Sequence, residues 1–310
     1  FYEPTFLPKT TSGVPMTRPN FFIIGNPKCG TTSLASWLQR NREIFLSADK
    51  EPHFFATDMA DRAYQRRSEY NALFAEADAP IIGEASVWYA YSQEAIPNIL
   101  KECPCAKFVL CLRNPTDMAW ALHNQMIQVG NETVTDFHDA WALISERRAG
   151  REVPSFCLDP RKLDYEHACR QGEILSRLYS HVDRRQVHLV FLEDMASDPA
   201  GVVSGIEDFL GVVPSEIADF PVENGAFERR SSTLNRAVKL LGRIKGRLIK
   251  RRLNTGLLTR LDLANRTKSR RQPMPAETRR LLTETFRNDV EMLEQLTERD
   301  LSHWKALSDD

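Results

Sequence analysis

Residues 21–33 read Phe-Phe-Ile-Ile-Gly-Asn-Pro-Lys-Cys-Gly-Thr-Thr-Ser, an apolar run followed by two glycines, a lysine and three hydroxyl side chains. The pattern predicts a strand that ends at Gly25, a tight loop, and a helix that opens near Thr31. Unpaired N–H groups and the partial positive charge of such a helix start suit a phosphate. In the nucleotide-triphosphate loop G-x-x-x-x-G-K-[ST], a lysine follows the second glycine. Gly25, Gly30 and Thr32 fit that spacing, but Thr31 stands in the lysine's place and the cation sits earlier, at Lys28. The displaced cation argues against an ordinary ATPase or kinase. Lys28 is therefore the candidate catalytic cation, and Lys28, Cys29, Gly30, Thr31, Thr32 and Ser33 form the candidate cradle. A second phosphate contact is predicted at Arg113, which follows an apolar run and precedes Asn-Pro, where a guanidinium can fork onto phosphate oxygens.

Four apolar runs predict the buried parallel strands that would position these residues: Phe21–Gly25, Ile81–Glu84, Phe108–Arg113 and Val187–Glu193. Each is nearly continuous in apolar residues, as a strand covered on both faces should be. Helical patterns lie between and after them, over Thr31–Asn41, Gln93–Glu102, Thr116–Val129, Asp136–Ala149, Tyr165–His181 and Pro199–Leu210. This alternation implies an α/β fold, a P-loop-like core with a mainly parallel sheet flanked by helices on both faces. Ligands of such sheets bind beyond the carboxyl ends of the strands, where these candidates fall. Residues 212–275 are less regular, and Arg229–Arg252 holds ten Lys or Arg residues and no acid. From Pro275 to Leu307 a long amphipathic helix is expected, with Leu281, Leu282, Phe286, Val290, Leu293 and Leu296 facing inward.

The 310 residues are 42% hydrophobic and 27% charged, with a formal net charge of -1. That balance is ordinary for a globular protein and gives no global pull toward nucleic acid, so none is expected as a partner. No apolar run approaches the ~20 residues of a membrane-spanning helix. There is no signal-peptide pattern, although the chain opens at Phe1 without methionine, which leaves an upstream anchor open. Six cysteines are scattered without a framework, and Cys103-Pro-Cys105 suits neither zinc nor a thioredoxin-type site. Reduced thiols, a cytoplasmic setting and no metal are the expectation.

The rearranged loop P-K-C-G-T-T-S-L resembles the 5′-phosphosulfate loop of sulfotransferases that use 3′-phosphoadenosine 5′-phosphosulfate (PAPS). Lys50-Glu51-Pro52-His53-Phe54-Phe55 is similar to the K-E-x-H-F-F segment of the glycan sulfotransferases, the heparan sulfate group included. Gly83-Glu84-Ala85-Ser86 with Tyr89 resembles their G-E-[KA]-[ST]-x-x-Y segment. FVLCLRNP (Phe108 to Pro115) resembles the strand and loop that bind the 3′-phosphate. VFLEDMASDP (Val190 to Pro199) and the ending from Met292 to Trp304 resemble two further family segments, E-D-L-x-x-D-P and L-x-x-L-x-x-x-D-L-x-x-W. In order and spacing these pieces cover residues 20–305, nearly the whole chain.

The resemblance implies PAPS as donor cosubstrate and a hydroxyl, secondarily an amine, of a carbohydrate-bearing or small lipid-like acceptor. It assigns Glu51 as general base, with a plain salt bridge as the alternative. It assigns His53 to the substrate site; a base role, as in the cytosolic small-molecule sulfotransferases, and a structural role both stay open. Asn224 to Ser231 resembles the bacterial segment that folds over the adenosine, which makes Arg230, with Arg229 beside it, a candidate 3′-phosphate ligand. The rest of the basic stretch is either a solvated face or a peripheral contact with membrane phosphate or an acidic acceptor. The expected division is an N-terminal extension over 1–19 and one domain over 20–310, with an irregular cofactor-covering segment at 212–275 and a C-terminal helix at 276–307. Three positions depart from the family: Ala121 replaces a serine, Met118 an arginine, and Ala85 the lysine of the heparan-type enzymes. Asn114, His123 and Asn124 are the candidates to compensate at the 3′-phosphate. Two rival readings follow, a non-catalytic nucleotide-binding protein of the same fold and a P-loop nucleotide kinase. Oligomeric state is open.

Overall fold

The computed structural model describes residues 18–222, 227–229, 266–268 and 273–306. Strands β1 (Phe21–Gly25), β2 (Ile44–Leu46), β3 (Ile81–Ala85), β4 (Lys107–Leu112) and β5 (Val187–Phe191) form one sheet in the order β2-β3-β1-β4-β5. Every pairing in it is parallel, with Ile23 opposite Ala85 on one side of β1 and Gly25 opposite Cys111 on the other. All five residues of β1 are buried, which its unbroken apolar composition requires. The chain runs from β1 to one side, then crosses to the other. The loop after β1 therefore opens at the switch between the two directions, the usual ligand crevice of such a sheet.

The helices that flank the sheet are α1 (Thr31–Leu38), α2 (Arg67–Asn71), α3 (Ala95–Glu102), α4 (Pro115–Val129), α5 (Phe137–Ala142), α6 (Ile144–Arg148), α7 (Tyr165–Ala168), α8 (Gln171–His181), α9 (Leu192–Ser197), α10 (Pro199–Leu210), α11 (Ala276–Thr297) and α12 (Ser302–Lys305). A separate antiparallel pair joins β6 (Phe227–Arg229) to β7 (Arg266–Lys268). Local chemistry sets several ends. Asn114 accepts a hydrogen bond from the Thr116 amide at 3.0 Å, Pro115 opens α4, and Gly130 closes it at φ 71°. Asp198, Pro199 and Gly211 do the same for α10.

The predicted sheet is the observed one, with an extra edge strand, β2, too short at three residues to register as a pattern. Corrections fall at element ends. Glu193 lies in α9 rather than in the strand predicted to reach it, because β5 turns straight into that helix. The expected helix over Asp136–Ala149 is two short ones, α5 and α6. Tyr165–His181 is likewise interrupted at Cys169 and Arg170, because each half has its own cap. Asp164 caps α7 through the His167 amide, and Asp289 of α11 accepts from the amides of Gly172 and Glu173, both at 3.0 Å. The two helices cross so closely that a Cβ at Gly172 would stand 2.4 Å from the Asp289 carbonyl oxygen. The C-terminal helix stops at Thr297, where Glu298 takes the left-handed conformation at φ 55°. Leu282, Phe286, Val290 and Leu293 are buried as expected, and Leu281 and Leu296 half-buried.

Two packed groups hold the region around the crevice. Phe22 of β1 stacks on Phe108 of β4 at 5.8 Å and meets Phe55 edge-on at 6.0 Å. Phe54 stacks on Tyr70 at 4.3 Å, so both phenylalanines anchor the segment that carries Glu51 and His53. Farther out, a fully buried ion pair joins Arg147 to Glu132 through two bonds of 2.6 and 2.9 Å, and Tyr165 donates to the same carboxylate at 2.7 Å.

Candidate active site

The loop after β1 arrives at the start of α1 through two left-handed residues, Lys28 at φ 70° and Gly30 at φ 81°. Gly30 is the N-cap of α1 and has no side chain to cap the first turn. Glycine suits that place, since any side chain there would be strained and would press on Leu192 and Met195. Lys28 has no such excuse. Left-handed backbone at a non-glycine residue costs of order 1–3 kcal/mol and persists only where surroundings impose it. Among the contacts that hold it is Arg113, whose Nη1 donates to the Lys28 carbonyl at 3.1 Å. Arg113 is itself fixed by Gln171, which accepts from the Arg113 amide at 2.9 Å and donates to its carbonyl.

Three of the five non-glycine residues with positive φ among the described residues are Lys28, Glu51 (φ 59°) and His53 (φ 51°), the three predicted catalytic residues. The segment holding Glu51 and His53 is tied to the end of β3. The Glu51 amide donates to the Ala85 carbonyl at 2.8 Å, and the His53 amide donates to Ser86 Oγ at 3.1 Å. Glu51 Oε2 lies 3.3 Å from His53 Nε2. Burial pushes the Glu51 carboxyl up, but His53, then Lys50 and Lys162, more than offset this and hold it below the ordinary carboxylate range. The His53 ring is buried, and its Nδ1 and the Asn26 Oδ1 of the neighbouring loop are buried polar atoms with no protein partner. Orphaned polar atoms in a crevice mark a place where a ligand or water completes the bonding.

Behind this segment lies Glu84 of β3, fully buried, which accepts from Tyr70 at 2.9 Å, Tyr89 at 2.8 Å and Ser86 at 3.3 Å. Tyr89 also receives the Phe55 amide at 3.1 Å, so Glu84 organises both hydroxyls that hold the His53–Phe55 backbone. Burial lifts its pKa from 4.5 to about 7 despite the three donors. The folded protein thus holds this proton more tightly than the unfolded chain, and stability falls as pH rises from 4.5 through about 7. Urea denaturation across that window is expected to show the fall in wild type, on the order of 3 kcal/mol. A Glu84→Gln variant should lose this slope; an unchanged slope would mean that Glu84 does not titrate there.

Cys29 turns away from the crevice. Its thiol is buried 3.9 Å from the Met118 sulfur, and burial pushes its pKa up to about 12, with Arg113 offsetting part of this. Only its backbone can serve a ligand, and Met118, standing where the family's arginine was expected, packs beneath the loop. Thr31 and Ser33 are buried, Thr32 half-buried. The hydroxyls of Thr31 and Thr32 both accept from Lys50 Nζ, at 3.1 and 2.5 Å. In the sequence Lys50 is only the first residue of the K-E-P-H-F-F segment, with no role assigned by that pattern.

The three residues expected to compensate for Ala121 are engaged elsewhere. Asn114 caps α4, His123 is buried with Nε2 3.0 Å from the Val134 carbonyl, and Asn124 donates within its own helix to Trp120. Arg229 lies on β6, and Arg230 lies outside the described residues. Glu193 and Asp194 are brackets for the chain's last elements: Glu193 accepts from Trp304 Nε1 at 2.6 Å, and Asp194 pairs with Arg299 at 2.5 and 2.7 Å.

A family model, described as the sulfotransferase domain, matches residues 18–233, more than half of the chain. The chain belongs to the sulfotransferase family. The crystal structure of a sulfotransferase from Alicyclobacillus acidocaldarius superposes on it with a TM-score of 0.70 and 26% identity, covering 94% of this chain and all (100%) of that one. The membrane-associated sulfotransferase kil1 of Dictyostelium discoideum is 28% identical over 276 residues, 66% of this chain and 59% of that protein. Heparan sulfate glucosamine 3-O-sulfotransferase 6 of Homo sapiens is 28% identical over 209 residues, 63% and 52% of the two chains. This sulfotransferase chain thus spans less than two thirds of the length of these curated relatives. No helix among its described residues is long and apolar enough to cross a membrane. Nor is any group of three or more His, Cys, Asp or Glu side chains among them placed to hold a metal ion.

Proposed function

We propose that this sulfotransferase moves a sulfuryl group from PAPS to a hydroxyl, secondarily an amine, of a carbohydrate-bearing or small lipid-like acceptor. The observation that carries the reading is the meeting of two strained segments at adjacent strand ends, one a phosphate cradle and the other a carboxylate–imidazole pair. PAPS supplies the activated sulfuryl group. The first-turn amides of α1 and the hydroxyls of Thr31, Thr32 and Ser33 suit its 5′-phosphate, and Lys28 suits the charge that grows on the leaving bisphosphate. Glu51 takes the acceptor proton. Held below the ordinary carboxylate range, it is ionised throughout neutral pH. A weak base suffices, because the hydroxyl becomes strongly acidic only as its new bond to sulfur forms. His53 orients Glu51 from its buried place, and Arg113 keeps the Lys28 backbone in its strained form. Arg229 and Arg230 are proposed as 3′-phosphate ligands, and residues 20–310 as one domain. The six cysteines, none in a disulfide, fit a cytoplasmic setting, although the relative kil1 is a membrane-associated sulfotransferase.

Isothermal titration with 3′-phosphoadenosine 5′-phosphate (PAP), the desulfated product, tests this. Wild type is expected to bind at micromolar concentration, and Lys28→Ala to bind tenfold or more weakly, a loss of about 1.4 kcal/mol or more. Absence of PAP binding to wild type beside measurable ATP binding would overturn the reading and favour a kinase. PAP binding without transfer to any acceptor in a broad sugar and lipid-alcohol screen would favour the non-catalytic rival.

A further inference from the structure

The ammonium group of Lys50 sits against the hydroxyls of the proposed phosphate cradle, and the reading above gives it no part in binding the donor. In the nucleotide-triphosphate loop, the residue after the second glycine is a lysine that reaches the terminal phosphates. Here that residue is Thr31, and Lys50 Nζ stands 3.1 Å from its hydroxyl oxygen and 2.5 Å from that of Thr32. The lysine arrives from another loop. That loop is locked to the end of β3 by the bond from the Glu51 amide to the Ala85 carbonyl, one residue from Lys50. Ala85 is also where the heparan-type pattern has its lysine, so one side chain occupies the neighbourhood of two missing cations.

We propose that Lys50 is a second donor-binding cation, which grips the 5′-phosphosulfate together with Thr31 and Thr32 from the side opposite the loop backbone. The inference rests on the proposed function and adds a residue to it.

The hydrogen-bond chemistry supports more than charge alone. An ammonium only donates, so the two threonine oxygens accept from Lys50 and their hydroxyl protons are not spent on it, which leaves them to donate to an acceptor such as a phosphate oxygen. Lys50 thereby aims both hydroxyls as well as adding its own charge. Burial lowers the pKa of this amine and Glu51 partly restores it, as expected for a cation held ready beside a carboxylate. Because Lys50 and Glu51 are neighbours in one strained segment, donor binding at Lys50 also fixes the backbone that carries the base.

The test uses two ligands that differ only in the group Lys50 is proposed to touch. PAP carries a 5′-phosphate, and adenosine 3′-monophosphate does not. Titration of wild type, Lys50→Met and Lys50→Arg with each should show a selective loss. For Lys50→Met, PAP affinity is expected to fall about tenfold or more, the scale of one charge-assisted contact. Its affinity for adenosine 3′-monophosphate should stay within about twofold. Lys50→Arg, which keeps the charge, should recover most of the PAP affinity. Thermal melts of the three proteins separate this from misfolding, since a folding defect would weaken both ligands together. Equal PAP binding by wild type and Lys50→Met overturns the inference and leaves the proposed function standing. Equal loss for both ligands likewise overturns it, in favour of a structural role. Failure of wild type to bind PAP at all overturns the proposed function and this inference with it.

Discussion

Glu51→Gln is expected to lower sulfuryl transfer by about 10²–10⁴-fold, the range lost with a general base. The amide keeps the size and planarity of the carboxylate and can still meet His53, so the fold and the donor site should survive. PAP affinity is accordingly expected to remain within about threefold of wild type. The contrast between intact donor binding and lost turnover is the informative readout, because Lys28→Ala should move both. Turnover within tenfold of wild type would remove Glu51 from the role of base. The surrounding geometry would then point to His53, whose Nδ1 is buried without a partner. Transfer of labelled sulfate from PAPS, measured for both variants on the same acceptor, separates the cases.

The second large effect concerns stability. Arg147→Met strips the counter-charge from Glu132, whose side chain is fully buried at 0% exposure. Breaking a buried pair from one side leaves an uncompensated charge and costs about 3–5 kcal/mol. Against the marginal stability of a natural domain, about 5–15 kcal/mol, that is a large share. The Glu132 carboxyl is pushed up by burial but pulled below its usual 4.5 by Arg147, Val134 and Tyr165. A depressed folded-state pKa means that the pair stabilises above pH 4.5 and stops doing so as pH falls through the lower folded value. Urea denaturation near neutral pH should thus show the full difference between wild type and Arg147→Met, and a narrower one in acid. A loss below ~1 kcal/mol would place the pair among the many ion pairs that contribute little.

The sheet and its crevice were legible because the four long strands are apolar throughout, and strands buried on both faces can hardly be built otherwise. The loop after β1 was legible from its spacing: the strand ends at Gly25 and the helix opens at Thr31, as the pattern predicts. What escaped the sequence is set by distant partners. No local pattern says that Asp289 caps α8 or that Lys50 bends back onto Thr31, since long side chains reach in many directions. The left-handed backbone at Lys28, Glu51 and His53 was hidden for the opposite reason. Glycine advertises such a conformation, whereas nothing in a lysine, a glutamate or a histidine signals it. Asn114, His123 and Asn124 show the limit of proximity in sequence, as each lies near the expected phosphate yet is engaged elsewhere.

The bracing of the loop at Lys28 draws on residues far apart in the sequence. Asp289 caps α8, α8 opens with Gln171, Gln171 clamps Arg113, and Arg113 holds the carbonyl of Lys28. A ribosome delivers these parts in reverse order of need. Lys28 emerges before Arg113 and Gln171, and Asp289, which closes the series, emerges after all of them. Long-range contacts of this kind form late and slowly. The loop that looks most self-contained on paper therefore gains the last of these braces only once α11 has packed against α8.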